Sequence, residues 1–346
     1  MALVIKSLDD GSVVAWDRFV DSCPEATFFH RAGWRRVITA SFRQKARFLY
    51  AEQDGAIVGV LPLVHMRSPL FGNRIVSTAF TVGGGVAAVE DAAREALDAA
   101  AVELMNRTGA AYVEYRQPPR PHPEGSGWVA RPGMYVTFER SIPVREEDDW
   151  KLIPGKKRRM VRKAIDAGLE AVEDRHPGRF FPVYAEAMRD LGTPVFGSAL
   201  FTNLMTEFGH DCECLIATHE GRPVAAALNF VFKNRIIQYF LGNLPEARPL
   251  GATNFLLWRM SRRAAERGLT LFDYGRSKVD SGNYTFKVES GFSPRPIANE
   301  FHLRQGTPMP ELHVRNRKFS PFIAAWKRLP LPVANTLGPR VIRHIG

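Results

Sequence analysis

At 346 residues, 45% hydrophobic and 24% charged, the chain has the balance of a globular protein long enough for about two domains. No run of about 18 apolar residues is present, which excludes a membrane-spanning helix, and the first residues lack the basic start and apolar core of a signal peptide. Three cysteines (Cys23, Cys212, Cys214) are too few for a disulfide framework and badly spaced for zinc, so a reducing cytoplasm is expected, while a formal charge of +11 asks for an anionic partner.

The first aromatic-rich segment places Trp34, Val37, Ile38 and Phe42 at helical spacing. A β-hairpin follows, with two apolar runs joined at Gln53-Asp54-Gly55, where glycine supplies the positive φ that the turn needs. A strand over 75–81 leads into Gly83, Gly84 and Gly85, which read as a plain turn or as a weak phosphate cradle. An amphipathic helix over 92–108 ends on Gly109, a short buried strand over 111–115 carries Glu114, and a last strand near 134–138 is expected to close the unit.

Next comes the most basic stretch of the chain, Lys151 to Lys163, with seven cations and no acid. Met160, Val161, Ala164 and Ile165 form a helical apolar stripe, which predicts a cationic helix between two domains. Its Lys156, Lys157, Arg158, Arg159 and Arg162 read either as a grip for an anionic substrate or as a solvated charged face.

Beyond it the pattern of the first half returns. Leu200, Phe201, Leu204, Met205 and Phe208 repeat the aromatic helix, and a second hairpin turns at His219-Glu220-Gly221. Ala51 falls on Ala217, Gly55 on Gly221 and Val58 on Val224, all at one offset of 166. A strand over 236–241, a helix over 253–267 closed by Gly268, a buried strand over 270–274 and a strand over 297–303 complete the echo. A period this long means two copies of a domain, not a solenoid. The expected division is 1–145 and 171–310 for the copies, 146–170 for the basic helix and 311–346 for a basic tail.

Hairpin, strand, helix, strand, strand describes mixed α/β sheets flanked by helices, the order of the acetyltransferase-type fold known as GNAT. Tandem GNAT-like (acyl-CoA N-acyltransferase-like) domains are therefore the expected fold. The densest chemistry lies in Leu271-Phe-Asp-Tyr-Gly-Arg-Ser-Lys278 and the following Tyr284-Thr-Phe-Lys287. Acyl transfer to an amine needs a base for the ammonium proton and a positive group for the oxyanion. Asp273 is the nearest carboxylate, and Lys287 or Arg276 the nearest cation; a structural ion pair between Asp273 and Arg276 is the other reading. Tyr274, Ser277, Lys278, Phe286 and, in the first copy, Trp34 are candidate substrate contacts.

Arg248 and Gly251 precede the second long helix as Arg-x-x-Gly-x-Thr, a near miss to the phosphate loop of coenzyme-A enzymes. No Gly-x-Ser-x-Gly or His-Glu-x-x-His motif occurs, which favours direct transfer without a covalent intermediate, a metal or a tightly bound cofactor. The tail holds seven Lys and Arg against one Glu, mixed with Trp326 and aliphatic residues, a composition suited to the inner membrane surface or to docking on the protein's own body.

With these residues laid out, the whole chain resembles the FemAB family, and more closely the subgroup linked to exosortase/PEP-CTERM systems of exopolysaccharide-producing bacteria. The resemblance is carried by Ala26-Thr-Phe-Phe-His-Arg-Ala-Gly-Trp34, Gly192-Thr-Pro-Val-Phe196, Phe272-Asp-Tyr-Gly-Arg-Ser-Lys278, Tyr284-Thr-Phe-Lys287 and Trp326-Lys-Arg-Leu-Pro-Leu-Pro-Val-Ala-Asn335. It implies transfer of an aminoacyl group from aminoacyl-tRNA, or an acyl group from acyl-CoA, to an amine of a cell-envelope or exopolysaccharide precursor. It also implies that Phe286-Lys287 stands near the reacting ester. The basic residues that grip the nucleotide pyrophosphate in muramyl-peptide transferases would fall near Ile38 and Phe196, and neither is basic. A non-catalytic binder of an anionic glycan or nucleotide-linked carrier is the rival class, and RNA binding a third.

Overall fold

The computed structural model describes residues 3–69, 71–310 and 320–345, and every structural statement concerns these. The chain runs β1 (Val4–Ser7), α1 (Val13–Ser22), α2 (Gly33–Phe42), β2 (Lys45–Gln53), β3 (Ala56–Ser68), β4 (Gly72–Ser77), β5 (Ala87–Ala88), α3 (Asp91–Thr108), β6 (Tyr112–Arg116) and β7 (Trp128–Ser141). It continues with α4 (Glu146–Leu152), α5 (Gly155–Asp166), β8 (Glu170–Asp174), α6 (Phe180–Leu191), α7 (Ser198–Phe208), β9 (Cys212–His219), β10 (Arg222–Phe232) and β11 (Arg235–Asn243). Last come α8 (Ala247–Leu250), α9 (Ala252–Glu266), β12 (Leu271–Lys278), α10 (Gly282–Glu289), β13 (Ser293–Leu303), α11 (Ser320–Trp326) and α12 (Leu331–Ile345).

Two compact units result. The first takes in residues 3–133, 297–310 and 341–345; the second takes in 134–296 and 320–340. The first unit's sheet has the order β1-β2-β3-β4-β6-β13, with β4 and β6 parallel and β5 on the side of β3. The second has β7-β12-β11-β10-β9-β8, with β11 and β12 parallel. Each is the mixed, helix-flanked sheet that the element order predicts.

One expectation is corrected. The strand after each copy does not close its own copy: residues 135–141 of β7 pair with β12 in the second unit, and Asn299–Leu303 of β13 pair with β6 in the first. The sequence carries no sign of this exchange, because an apolar strand reads the same whichever sheet it joins. The cationic helix expected from Met160, Val161, Ala164 and Ile165 is α5, which buries Val161 and Ala164 and falls within the second unit after the acidic α4 and Pro154; residues 311–319 of the expected tail lie outside the described residues.

The repeat is exact at its turns. Asp54-Gly55 and Glu220-Gly221 all take positive φ, joining their strands through two-residue loops with Gln53 opposite Ala56 and His219 opposite Arg222. Gly109 closes α3 in the left-handed conformation as predicted. The second unit's core gathers Phe255, Leu256, Leu257 and Met260 of α9 against Leu215, Ala225, Ala227 and Phe272 of the sheet. Each such large side chain contributes about 1.5–3 kcal/mol by leaving water.

Candidate active site

Strands β11 and β12 are paired only at Arg235–Ile237 with Leu271–Asp273. β11 stays paired with β10 as far as Asn243, so β12 leaves it and a wedge opens along the second half of the two strands. At the root of that wedge β11 carries a bulge: Leu228 pairs with Phe240 and Asn229 with Gln238, and the register steps over Tyr239. Asn229 and Gln238, inside otherwise apolar strands, are buried polar residues there that sequence reading missed.

A second bulge lies in β12, between Asp273 and Arg276. Gly275 permits it with φ +66°, and its N–H donates to Asp273 Oδ1 at 2.8 Å. Beneath the bulge lies Lys287 of α10. Its Nζ donates to the carbonyl oxygens of Tyr274 (2.5 Å), Gly275 (3.0 Å) and Arg276 (3.1 Å) and sits over the rings of Tyr274 and Phe138. Ser281 caps α10 by accepting from the Tyr284 N–H, which fixes the helix that delivers Lys287. Burial lowers the Lys287 ammonium to about 8, against a smaller raising influence of Asp273.

Burial raises the Asp273 carboxyl above the usual carboxylate range. The Gly275 N–H opposes this, Glu139 adds to it, and Arg235 and Lys287 pull back. Glu139 lies opposite Asp273 in β7 and pairs with Arg235 (3.4 Å) and Arg295 (3.2 Å). It belongs to the first copy's sequence but to the second unit, which is why reading one copy at a time missed it. Arg276 lies over the Tyr135 ring, its guanidinium carbon 4.6 Å from the centroid. Asp273, Arg276 and Lys287 thus meet at one bulge.

The first unit treats the equivalent place differently. Glu114 of β6 accepts from Arg116 Nε at 3.2 Å and from Asn299 Nδ2 at 2.9 Å, and is buried. A carboxylate so engaged is part of the scaffold. Gly83 and Gly85 are also structural, their carbonyls bound by Thr27 Oγ1 and facing His30 Nε2.

Other candidates are placed as follows. Trp34 is a core residue, its Nε1 donating to the Phe28 carbonyl and its ring against Phe28 and Phe29, so it offers no surface to a substrate. Tyr274 and Ser277 are buried, whereas Lys278 and Phe286 are partly exposed. Lys157 turns inward, pairing with Glu289 at 3.1 Å over the Phe286 ring. Lys156, Arg158, Arg159 and Arg162 remain outward and, with Gly155, line a hollow of about 420 Å³ at the start of α5.

Arg248 is exposed on α8, and Gly251 takes φ +74°. A Cβ on Gly251 would lie 2.5 Å from the Met160 carbonyl oxygen, so this loop packs directly on the α5 backbone, and the Gly251 N–H donates to the Arg248 carbonyl at 3.2 Å. Lys156, Arg158, Arg159 and Arg162 fit an anion better than this loop does. Among the described residues no group of three or more His, Cys, Asp or Glu is placed to hold a metal ion.

Residues 155–288 match the family described as acetyltransferase (GNAT) domain. The match lies within the second unit, and the chain is an acyltransferase of GNAT-like fold. No curated protein sequence matches the chain. Among solved structures it is similar to FemX, at 14% identity and TM-score 0.69, over 86% of this chain and 97% of that one. It is also similar to a tandem GNAT protein from the clavulanic acid biosynthesis pathway, at 14% identity and TM-score 0.54, over 90% of this chain and 100% of that one. The C-terminal domain of a putative lysylphosphatidylglycerol synthetase from Agrobacterium fabrum matches at 12% identity and TM-score 0.56, over 84% of this chain and 91% of that one. At these identities the likeness is one of fold: tandem GNAT-like units, of which the second carries the matched domain.

Proposed function

We propose that this acyltransferase forms an amide at the β12 bulge of the second unit, on an amine of a cell-envelope or exopolysaccharide precursor. The observation that carries the reading is the Lys287 ammonium held under three successive carbonyls of the bulge. In a trans peptide the N–H points opposite to the C=O. Gathering the carbonyls of residues 274–276 around Lys287 therefore turns the N–H groups of residues 275–277 the other way. One of these already serves Asp273. The row, backed by a buried positive charge, is suited to negative charge developing on an acyl oxygen.

In this reading the acceptor nitrogen attacks the acyl carbonyl of a donor lying in the β11/β12 wedge. Asp273, whose carboxyl is poised upward by burial, takes the proton released by the nitrogen, and that proton passes to the departing thiolate or ribose oxygen as the tetrahedral adduct collapses. Arg276 orients substrate from the same bulge, with Ser277, Lys278 and Phe286 beside it. Lys156, Arg158, Arg159 and Arg162 take the phosphates of the donor or of the acceptor's carrier. The FemAB resemblance supports an aminoacyl donor and an exosortase-linked acceptor; the GNAT match supports acyl-CoA equally.

Mass spectrometry of the purified protein with its bound ligands tests the donor. Coenzyme A or charged tRNA identifies it. Amide formation is then followed with that donor in the Asp273→Asn and Lys287→Met variants. Turnover unchanged in both would remove Asp273 and Lys287 from the chemistry, and a parent protein that binds the ligand but forms no amide would be a binding protein.

A further inference from the structure

We propose that the helix pair α11–α12 docks on an anionic lipid bilayer through its outer face. Residues Ala334, Gly338 and Ile342 of α12, four apart, are buried. Gly338 is held so close that a Cβ there would lie 2.7 Å from the Val195 carbonyl oxygen, and Pro339 rests on Gly197. The helix is thus fixed with a defined outer side, and Val333, Leu337 and Arg340 lie on it, at 41% and 38% exposure for the two apolar residues.

Neighbouring elements extend the patch. Phe322 of α11 is 43% exposed, and Leu191, at the end of α6, is 62% exposed. Gly192, the next residue, abuts Ile323 and the Lys327 stem, and Arg189 donates to the Leu329 carbonyl. Leu191, Phe322, Val333 and Leu337 are four of the eight exposed large apolar side chains described in the second unit, all on elements that meet about residues 189–197.

Charge names the occupant. Lys327, Arg328 and Arg340 are exposed there, and from Val314 to Gly346 the sequence holds seven cations and no acid. The nearby acids, Glu186 and Asp190, are both engaged by Arg189. Scattered aliphatic and aromatic side chains among unopposed cations combine the two weak signals that reversible binding to an anionic membrane requires. The cores of protein interfaces are depleted in lysine, and a nucleic-acid groove has no use for exposed leucine and valine. This inference does not depend on the reaction proposed above.

Co-sedimentation of the full chain with vesicles tests it. Vesicles of phosphatidylcholine with about one-third phosphatidylglycerol should bind the protein at low salt, and pure phosphatidylcholine should not. Arg328→Gln with Arg340→Gln should weaken binding about thirtyfold. Val333→Asp with Leu337→Asp should abolish it, with the thermal midpoint kept because both side chains are exposed. Equal binding to the two vesicle types, or variants that bind like the parent, would overturn the proposal. So would a dimer that the Val333/Leu337 variant dissociates while vesicles go unbound, or tRNA binding that vesicles do not displace.

Discussion

Asp273 of β12 and Glu139 of β7 are register partners, two carboxylates opposite one another on an antiparallel ladder. Glu139 is held by Arg235 and Arg295, so the added negative charge falls on Asp273, whose carboxyl is already raised by burial. A base of raised pKa loses its function as pH falls through that value. The acid limb of kcat/KM should therefore lie above the ordinary aspartate range. Glu139→Gln should move the limb to lower pH, and Asp273→Asn should remove it with a loss of about 10²–10⁴ in rate. A pH–rate profile of the three proteins checks both statements.

Lys287 makes the opposite kind of demand. Replacing it with Met leaves three buried carbonyls without their donor and should cost about 2–4 kcal/mol in urea unfolding of the second unit. Because the folded ammonium titrates near 8 and the unfolded one near the ordinary lysine value, the unfolded chain binds more protons between them. Stability contributed by this residue should rise with pH across about 8 to 10.5, and the slope should vanish in Lys287→Met.

The first unit should slope the other way. His122 is held between Asp98 (Nε2 to Oδ2, 3.0 Å) and Glu300 (Nδ1 to Oε2, 2.7 Å), stacked on Trp128. Burial alone would lower it, but the two carboxylates raise it to about 9. Its contribution is complete below pH 6.5 and is lost as pH rises through about 9. His122→Leu strands two carboxylates and should destabilise the first unit by about 3–5 kcal/mol at neutral pH. Calorimetry from pH 6 to 10 checks the sign for each unit.

Two glycines with nearly the same φ should respond unequally to alanine. At Gly221 (φ +76°) nothing lies within 4 Å of the new Cβ, so the cost is the backbone strain alone, about 1–2 kcal/mol. At Gly251 (φ +74°) the Cβ would press on the Met160 carbonyl, so α5 must shift or unfold and the loss should exceed that of Gly221→Ala by about 2 kcal/mol. Equal losses in urea unfolding would mean that α5 is not seated there.

Much of this architecture was legible because local chemistry is strict. Asp54-Gly55 and Glu220-Gly221 force the same turn, Gly109 the same helix end, and the apolar positions of α2 and α7 the same buried stripe. Asp273 and Lys287 were legible as candidates because few charged residues end a buried strand or follow one so closely. What sequence could not carry is long-range pairing. The destinations of β7 and β13 depend on sheet register, as does the meeting of Glu139 with Asp273. Lys157 turning inward while Arg158 and Arg159 turn out depends on which face α5 packs, and Trp34 reads as surface or core with equal ease until its neighbours Phe28 and Phe29 are placed.

The duplicated fold offers its own control for the central claim, that amide formation belongs to the second unit's bulge. Amide product should be quantified by mass spectrometry with acetyl-CoA or aminoacyl-tRNA as donor and a panel of amino sugars and amine-bearing envelope precursors as acceptors, for Asp273→Asn beside Glu114→Gln. The account predicts that product disappears in Asp273→Asn and persists in Glu114→Gln. Product that survives Asp273→Asn and is lost in Glu114→Gln would place the reaction in the first unit and contradict it.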